Sequence, residues 1–210
     1  MMSPGPAPRR TPRPTEAVGS AQVGPTLRSL RTAAGMSMVE LARRAGVTQP
    51  FVSQVEGGSA TPSLATLYRF AQALDVAPTA LFPPAGPGAL TVVRAGSGAT
   101  FPNTGSDAAP VGRVLTSGGM HLEVIEYQLE PGVVDETSFS HPGEELVYVL
   151  EGKIELFLDD GAGVVLAPGD SAHFDASRAH RFAAYGLDHS RHLLVAAYPH
   201  RGSGTAVTST

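Results

Sequence analysis

Residues 36–58 read MSMVELARRAGVTQPFVSQVEGG, and their punctuation decides the fold of the first half of the chain. Ser37 with Glu40 fits a capping box, in which each side chain satisfies a backbone N–H of a helix's first turn. Leu41 and Ala45 continue that helix's buried face, and Gly46 breaks it. Thr48 is a good N-cap for a further helix over 49–56, with Pro50 tolerated in its first turn. Phe51, Val52 and Val55 give it an apolar stripe, and Gly57-Gly58 stops it. Two short helices joined by the tight turn Ala45-Gly46-Val47 make a helix-turn-helix candidate. Ala42 is small enough for a helix crossing, and Gln49, Ser53 and Gln54 face outward. Gln and Ser reach base edges in a major groove, Gln by a bidentate contact to adenine. Arg43 and Arg44 are placed to sit against phosphates.

Working outward, the helical texture continues on both sides. Pro25 opens an earlier helix and Gly35 ends it as a left-handed cap. Ser63 caps a helix whose apolar positions Leu64, Leu67, Phe70, Ala71 and Leu74 follow the 3.6-residue period. Pro78 opens a last short helix that ends near Phe82. Residues 1–23 are rich in Pro, Gly, Ala and Ser without apolar periodicity and read as a disordered arm. Residues 24–83 form the helical domain, and 84–109 a linker and loop with one early strand at 90–94. The helical domain is expected to lie across this linker from the second half of the chain. Over 110–199 short β-like runs stand at 111–115, 121–129, 146–150, 153–158, 164–166, 171–175, 180–184 and 193–197. Gly, Pro or Asp clusters separate them, which implies a sandwich or barrel. Residues 200–210 read as a disordered tail.

Charge divides along the same boundary. Residues 1–84 hold eight arginines against four acids, net +4; the remainder holds seven basic and fifteen acidic residues, net −8. A positive first half suits a polyanionic partner and the second half does not. The chain has no cysteine, so it has neither a disulfide framework nor a thiolate metal site. No apolar run approaches the ~18 residues of a membrane span, and the opening MMSPGPAPRRTPRP lacks a secretory apolar core. The expected location is the cytoplasm.

The stretch MSMVELARRAGVTQPFVSQVEGGSATPSLATLYRFAQALDVAPTALF resembles the DNA-binding domain of phage-repressor-type (Xre-like) regulators. That resemblance places Gln49, Pro50, Ser53 and Gln54 at groove-facing positions. It sets Arg31 and Glu56 as an ion pair joining the first and third helices. It implies double-stranded DNA as partner.

Residues 137–152, TSFSHPGEELVYVLEG, carry the other constellation. Residues 110–199 resemble the cupin family of small β-barrels. The family's first motif runs H-x-H, Glu, six residues, Gly; here His141, Glu145 and Gly152 match, and Phe139 stands at the first His position. In the second motif His180 matches, while Asp175, Ser177 and Ala184 replace the expected Pro, Gly and Asn. Three of the family's four metal positions therefore survive: His141, Glu145 and His180. Two imidazoles and a carboxylate suit Fe(II), Zn(II) or Mn(II), so at most one divalent metal is implied and its identity is open. Alternation along the strand turns Glu145, Val147 and Val149 to one face, so Glu145 can enter the barrel with an apolar lining behind it. Alternatively Phe139, His141, Glu145, Val147 and His180 form a metal-free pocket for a small organic effector. His121, His173, His189, His192 and His200 read as surface or strand-edge residues, and Tyr127, Tyr148 and Tyr185 as packing residues.

The sum is a multidomain α+β chain, an all-α helix-turn-helix bundle followed by an all-β cupin barrel. This layout resembles a group of bacterial transcription regulators, which implies a homodimer with a small-molecule effector and no catalysis. A competing class has the same two-domain order: an Fe(II)-dependent epoxidase that makes fosfomycin. That family draws a lysine from its helical domain into the active site, whereas the single lysine here, Lys153, lies in the β domain.

Overall fold

The protein is described here through a computed structural model, covering residues 15–16, 23–82, 90–102, 111–118, 121–131 and 138–199. The expected tail, His200, the arm's Arg9, Arg10 and Arg13, and half of the linker and loop fall outside these described residues.

Four helices form as the caps dictate: α1 (Val23–Ala33), α2 (Met38–Ala45), α3 (Gln49–Glu56) and α4 (Leu64–Leu74), followed by a 3₁₀ turn at Pro78–Leu81. The Ser37 side chain accepts from the Glu40 N–H, Thr48 from the Phe51 N–H and Ser63 from the Thr66 N–H. Gly46 closes α2 in the left-handed region, φ 64°, where a glycine bears no Cβ penalty. The first helix starts at Val23, two residues before Pro25, so proline sits inside its first turn and does not open it. Asp75 ends α4 with φ 58°, a stop signal that the sequence reading did not identify.

The β half contains β2 (Thr91–Val92), β3 (Thr100–Pro102), β4 (Val111–Val114), β5 (Leu122–Leu129), β6 (Glu144–Glu151), β7 (Ile154–Leu158), β8 (Val164–Leu166), β9 (Ser171–Asp175), β10 (His180–Ala184) and β11 (Ser190–Ala197). A six-stranded sheet runs β3-β4-β5-β11-β6-β9, and a three-stranded sheet runs β10-β7-β8. A bridge between Phe139 and His180 ties the segment ahead of β6 to the smaller sheet. The expected loop after 94 contains a strand, β3, because Phe101 is apolar and pairs opposite Gly112 of β4. Thr15–Glu16 (β1) pairs parallel with β2.

The two halves are not held apart by the linker. One apolar cluster runs from Leu27, Leu41, Val52, Leu64 and Phe70 through Leu81 and Phe82 into Phe101, Val114, Ile125 and Leu194. Phe82 and Phe101 meet edge to face at 5.7 Å. A Cβ on Gly112 would lie 2.1 Å from the Leu64 Cδ1, so glycine at that point of β4 lets α4 lie on the sheet. A second cluster of Leu129, Val147, Val149, Ile154, Leu156, Leu166 and Phe174 fills the barrel between its two sheets.

Candidate functional site

The outward face of α3 carries Gln49, Pro50, Ser53 and Gln54, all exposed, as the sequence requires of a groove-reading surface. Beneath it, Arg31 holds Glu56 by two bonds, Nε to Oε1 at 2.6 Å and Nη2 to Oε2 at 2.9 Å, and its Nη1 donates to the Met36 carbonyl at 2.7 Å. Both partners are buried, so this pair fixes α1 to α3. Arg43 and Arg44 are exposed but not idle: Arg43 makes a two-pronged contact with Glu40, and the Arg44 Nε donates to the same carboxylate at 2.7 Å. These hydrogen bonds hold the Glu40 carboxyl down to about 2.

In the barrel, His141, Glu145 and His180 converge, with ligand atoms all within 4.8 Å of one another. Local structure sets their placement. The His141 N–H donates to the Ala176 carbonyl, and the Ala176 N–H to the Gly143 carbonyl. Gly143 has φ 115°, and a Cβ there would stand 2.1 Å from the Ala197 carbonyl oxygen. Only glycine lets the chain cross β11 so closely before β6 begins. Within β6, burial alternates as the period of two demands: Glu145, Val147 and Val149 inward, Glu144, Leu146 and Tyr148 outward. His180 opens β10 and is bridged to Phe139.

The hydrogen bonds define the chemistry of the three side chains. His180 Nδ1 faces the Arg178 carbonyl at 2.8 Å and His141 Nδ1 the Pro142 carbonyl at 3.3 Å. A carbonyl only accepts, so each Nδ1 carries its hydrogen. Each Nε2 is then turned on Glu145: His141 to Oε1 at 2.6 Å, His180 to Oε2 at 3.2 Å. Among the described residues the buried Glu145 Oε2 makes no well-formed hydrogen bond. With neutral imidazoles, bare Nε2 lone pairs would face carboxylate lone pairs. Either protons or a cation must lie between them. Burial opposes charge on His141, but the Glu145 hydrogen bond and charge outweigh it and raise its pKa. Burial likewise opposes ionisation of Glu145, and the two imidazoles outweigh it and lower its pKa. A divalent cation would replace the protons, with Nδ1 of each histidine already anchored to backbone as metal-bound imidazoles are. The donor set thus fits a metal.

The structure adds three residues that sequence reasoning missed. Glu123 of β5 lies in one row with Ala196 and Glu145 across the sheet, its neighbour by register. It is 1% exposed. Tyr198 donates to its Oε2 at 2.7 Å, and Tyr68, on α4 of the helical domain, donates to the same oxygen at 3.2 Å. Burial raises the Glu123 pKa, and the two tyrosine hydroxyls oppose that rise. Tyr68 also lies 5.8 Å from Phe139 and 5.5 Å from His141 between ring centroids, and Tyr198 lies 5.0 Å from His141. Phe139, at the lost first-histidine position, is thus part of an aromatic wall. The alternation of β5 signalled an inward Glu123; nothing local signalled Tyr68.

The remaining residues divide. His173 and His189 are exposed beside Glu144 and Glu151, as expected, and His121 is exposed. His192 is a correction: expected at the surface or a strand edge, it is fully buried on β11, stacked on Tyr127 at 5.4 Å and packed on Phe182. Its strand lies between β5 and β6, so its alternation places it in the interior. Tyr127 packs as expected, whereas Tyr148 and Tyr185 are 41% and 47% exposed.

Both halves have known counterparts. Residues 27–81 match the helix-turn-helix family model, and residues 125–195 match the cupin domain model. The chain is therefore of the class that joins an Xre-like helix-turn-helix domain to a C-terminal cupin domain. A transcriptional regulator of the same helix-turn-helix family from Vibrio cholerae shares the fold along 86% of this chain and 97% of its own, with a TM-score of 0.58 at 22% identity. An uncharacterized helix-turn-helix-type transcriptional regulator of Mycobacterium tuberculosis is 44% identical over 63 residues, 30% of this chain. The match spans about half, 45%, of that relative's length. Hydroxypropylphosphonic acid epoxidase from S. wedmorenis aligns over 85% of this chain and 98% of its own at 25% identity, but with a TM-score of only 0.46.

Proposed function

We propose that this protein is a sequence-specific, double-stranded-DNA-binding transcriptional regulator, cytoplasmic and not an enzyme, whose cupin site senses a small effector or a divalent cation. The observation that carries the reading is the intact reading head: α3 presents Gln49, Pro50, Ser53 and Gln54 to solvent while Arg31–Glu56 locks it in place. Arg43 and Arg44 flank it for phosphate contact. A protein that used the helical domain only as a scaffold would have no need of that polar face. Among the described residues no helix is long and apolar enough to cross a membrane. The barrel site, bounded by Phe139, His141, Glu145, Val147 and His180, is the sensor. Occupancy changes the relative stability of two arrangements of paired helical domains, and that difference is what DNA reports. A homodimer through the cupin half is supported by an apolar outer sheet face on which Leu146 and Tyr148 of β6 stand opposite Val195 and Leu193 of β11.

The site would hold one divalent metal, Zn(II), Mn(II) or Fe(II), through His141 and His180 Nε2 and the Glu145 carboxylate. Such an ion would supply a fixed positive charge and a template for an effector's oxygen or nitrogen donors. Three protein ligands also leave room for oxygen chemistry. The chain's single lysine stands against an epoxidase. Lys153 lies past the end of β6 opposite Glu145, with roughly 20 Å of strand at about 3.3 Å per residue between Glu145 and Glu151.

Two measurements test the reading together: elemental analysis of protein purified without chelator, and a footprint on the DNA upstream of its own coding region with and without added metal. Protection of a roughly palindromic site whose affinity shifts with Zn(II) or Mn(II) is the expected result. Stoichiometric iron with oxygen uptake on a small substrate, and no protected site, would overturn it.

A further inference from the structure

We propose that Tyr68 is the positioning residue through which the barrel site and the DNA-reading helices are coupled; this rests on the sensor reading given above. Tyr68 is the side chain of α4 that reaches both the aromatic wall and the buried carboxylate row. Its ring stands against His141 at 5.5 Å and Phe139 at 5.8 Å, and its hydroxyl donates to Glu123 Oε2 at 3.2 Å. A helix of the reading domain therefore supplies one wall of the sensing site.

The geometry dictates what occupancy does. In the structure His141 Nε2 stands 2.6 Å from Glu145 Oε1. A cation held by His141, Glu145 and His180 would stand between these donor atoms and so would part the His141–Glu145 contact. The His141 imidazole would turn or slide to make that room. It is packed between Tyr68 and Tyr198, with centroids 5.5 and 5.0 Å away. Close-packed rings do not yield without moving a neighbour. Tyr198 stands at the end of β11, held by Glu123 and by its backbone N–H to the His121 carbonyl. Tyr68 has the longer bond to Glu123, and a displacement of its ring would be carried by α4.

What α4 touches completes the connection. The residue after Tyr68, Arg69, donates from Nη1 to the Gly46 carbonyl at 3.4 Å and from Nη2 to Thr66 Oγ1 at 3.1 Å. Gly46 is the turn between α2 and α3, and it sets how α3 leaves α2. A shift of α4 thus arrives at the turn that aims Gln49, Ser53 and Gln54. This is a contiguous set of packed groups and hydrogen bonds, and its claim to transmit anything rests on measured coupling.

The experiment uses the full chain, stripped of metal, with Zn(II) as probe and the footprinted upstream duplex as DNA. The readout is the coupling ratio, DNA affinity with Zn(II) over DNA affinity without it. In the unaltered protein the ratio should depart from one by about 5- to 150-fold, in either direction. Tyr68→Leu should bring it within about twofold of one, and Tyr68→Phe, which restores the ring against His141, should recover most of it. A Tyr68→Leu protein with an undiminished ratio overturns the coupling role and leaves the sensor reading standing. A ratio of one in the unaltered protein overturns the reading of the site as a cation sensor and this inference with it. Should Tyr68→Leu fail to fold, fluorine spectra of the unaltered chain labelled with 3-fluorotyrosine decide the matter. The Tyr68 resonance, identified by its absence in Tyr68→Phe, must move on adding Zn(II); an unmoved resonance in a metal-loaded protein overturns the proposal.

Discussion

Two buried ionisable side chains show how context sets what a single residue does. Glu56 is buried but fully answered by Arg31, so removing it strands a cation. Glu56→Ala should lower the stability of the full chain by about 3–5 kcal/mol, read from denaturant unfolding; an unchanged midpoint would show that the pair carries no weight. His192 is buried, and among the described residues neither ring nitrogen has a hydrogen-bond partner. Burial depresses its pKa from 6.5 to about 3. The unfolded chain therefore takes up a proton below pH 6.5 that the folded chain refuses until about pH 3. Stability from this residue is complete above pH 6.5 and falls as pH drops through that window, by ~1.4 kcal/mol per unit. Comparing unfolding of the unaltered chain with His192→Phe between pH 7 and about 4 should show a shallower loss in the variant, and parallel curves would remove His192 from the account.

At the scale of the element, the proposed reading role falls to α3 and the phosphate contacts to α2. Gln49 and Gln54 are exposed and belong to α3. Gln54→Ala and Gln49→Ala should each weaken operator binding by about 1–3 kcal/mol and barely touch random DNA. Equal losses on both DNAs would show that these residues do not read bases. The structure revises the expectation for the arginines. Arg43 and Arg44 share the Glu40 carboxylate, so that carboxylate competes with phosphate for them. Glu40→Gln should strengthen binding to random duplex and steepen its salt dependence, because two cations are released to phosphates. A flat response in a salt titration would mean that α2 lies off the DNA backbone.

Across the whole molecule the deciding feature is the join between the halves. Gly118 sits where a Cβ would meet the Phe82 carbonyl oxygen at 1.9 Å and the Thr79 carbonyl oxygen at 2.8 Å. Gly118→Ala must part the two halves there, at about 1–3 kcal/mol by the usual scale of overpacking. Calorimetry is the check. One cooperative transition is expected for the unaltered chain, since Leu64, Phe82, Phe101 and Ile125 share one core. Gly118→Ala should split or broaden it. Two well-separated transitions in the unaltered chain would mean that the shared core does not couple them.

Sequence by itself determined what is local. Caps at Ser37, Thr48 and Ser63, glycines at 35 and 46, and the period-two burial of β6 depend on neighbours a few residues away, and each formed where read. The triad was legible because His141 and Glu145 lie on one short stretch and His180 falls at a motif spacing. What joins residues far apart was decided only by tertiary structure. Glu123 meets Tyr68 across 55 positions and Tyr198 across 75, and no periodicity connects them. His192 looked like an edge residue because its strand's place between β5 and β6 is a property of the sheet. The linker suggested two separate bodies because composition reports how freely a segment can bend, whereas docking depends on which apolar faces remain uncovered once each half has folded. Leu64 and Phe82 are such faces; Gly112 leaves space for the Leu64 side chain and Gly118 for the backbone carbonyls of Phe82 and Thr79.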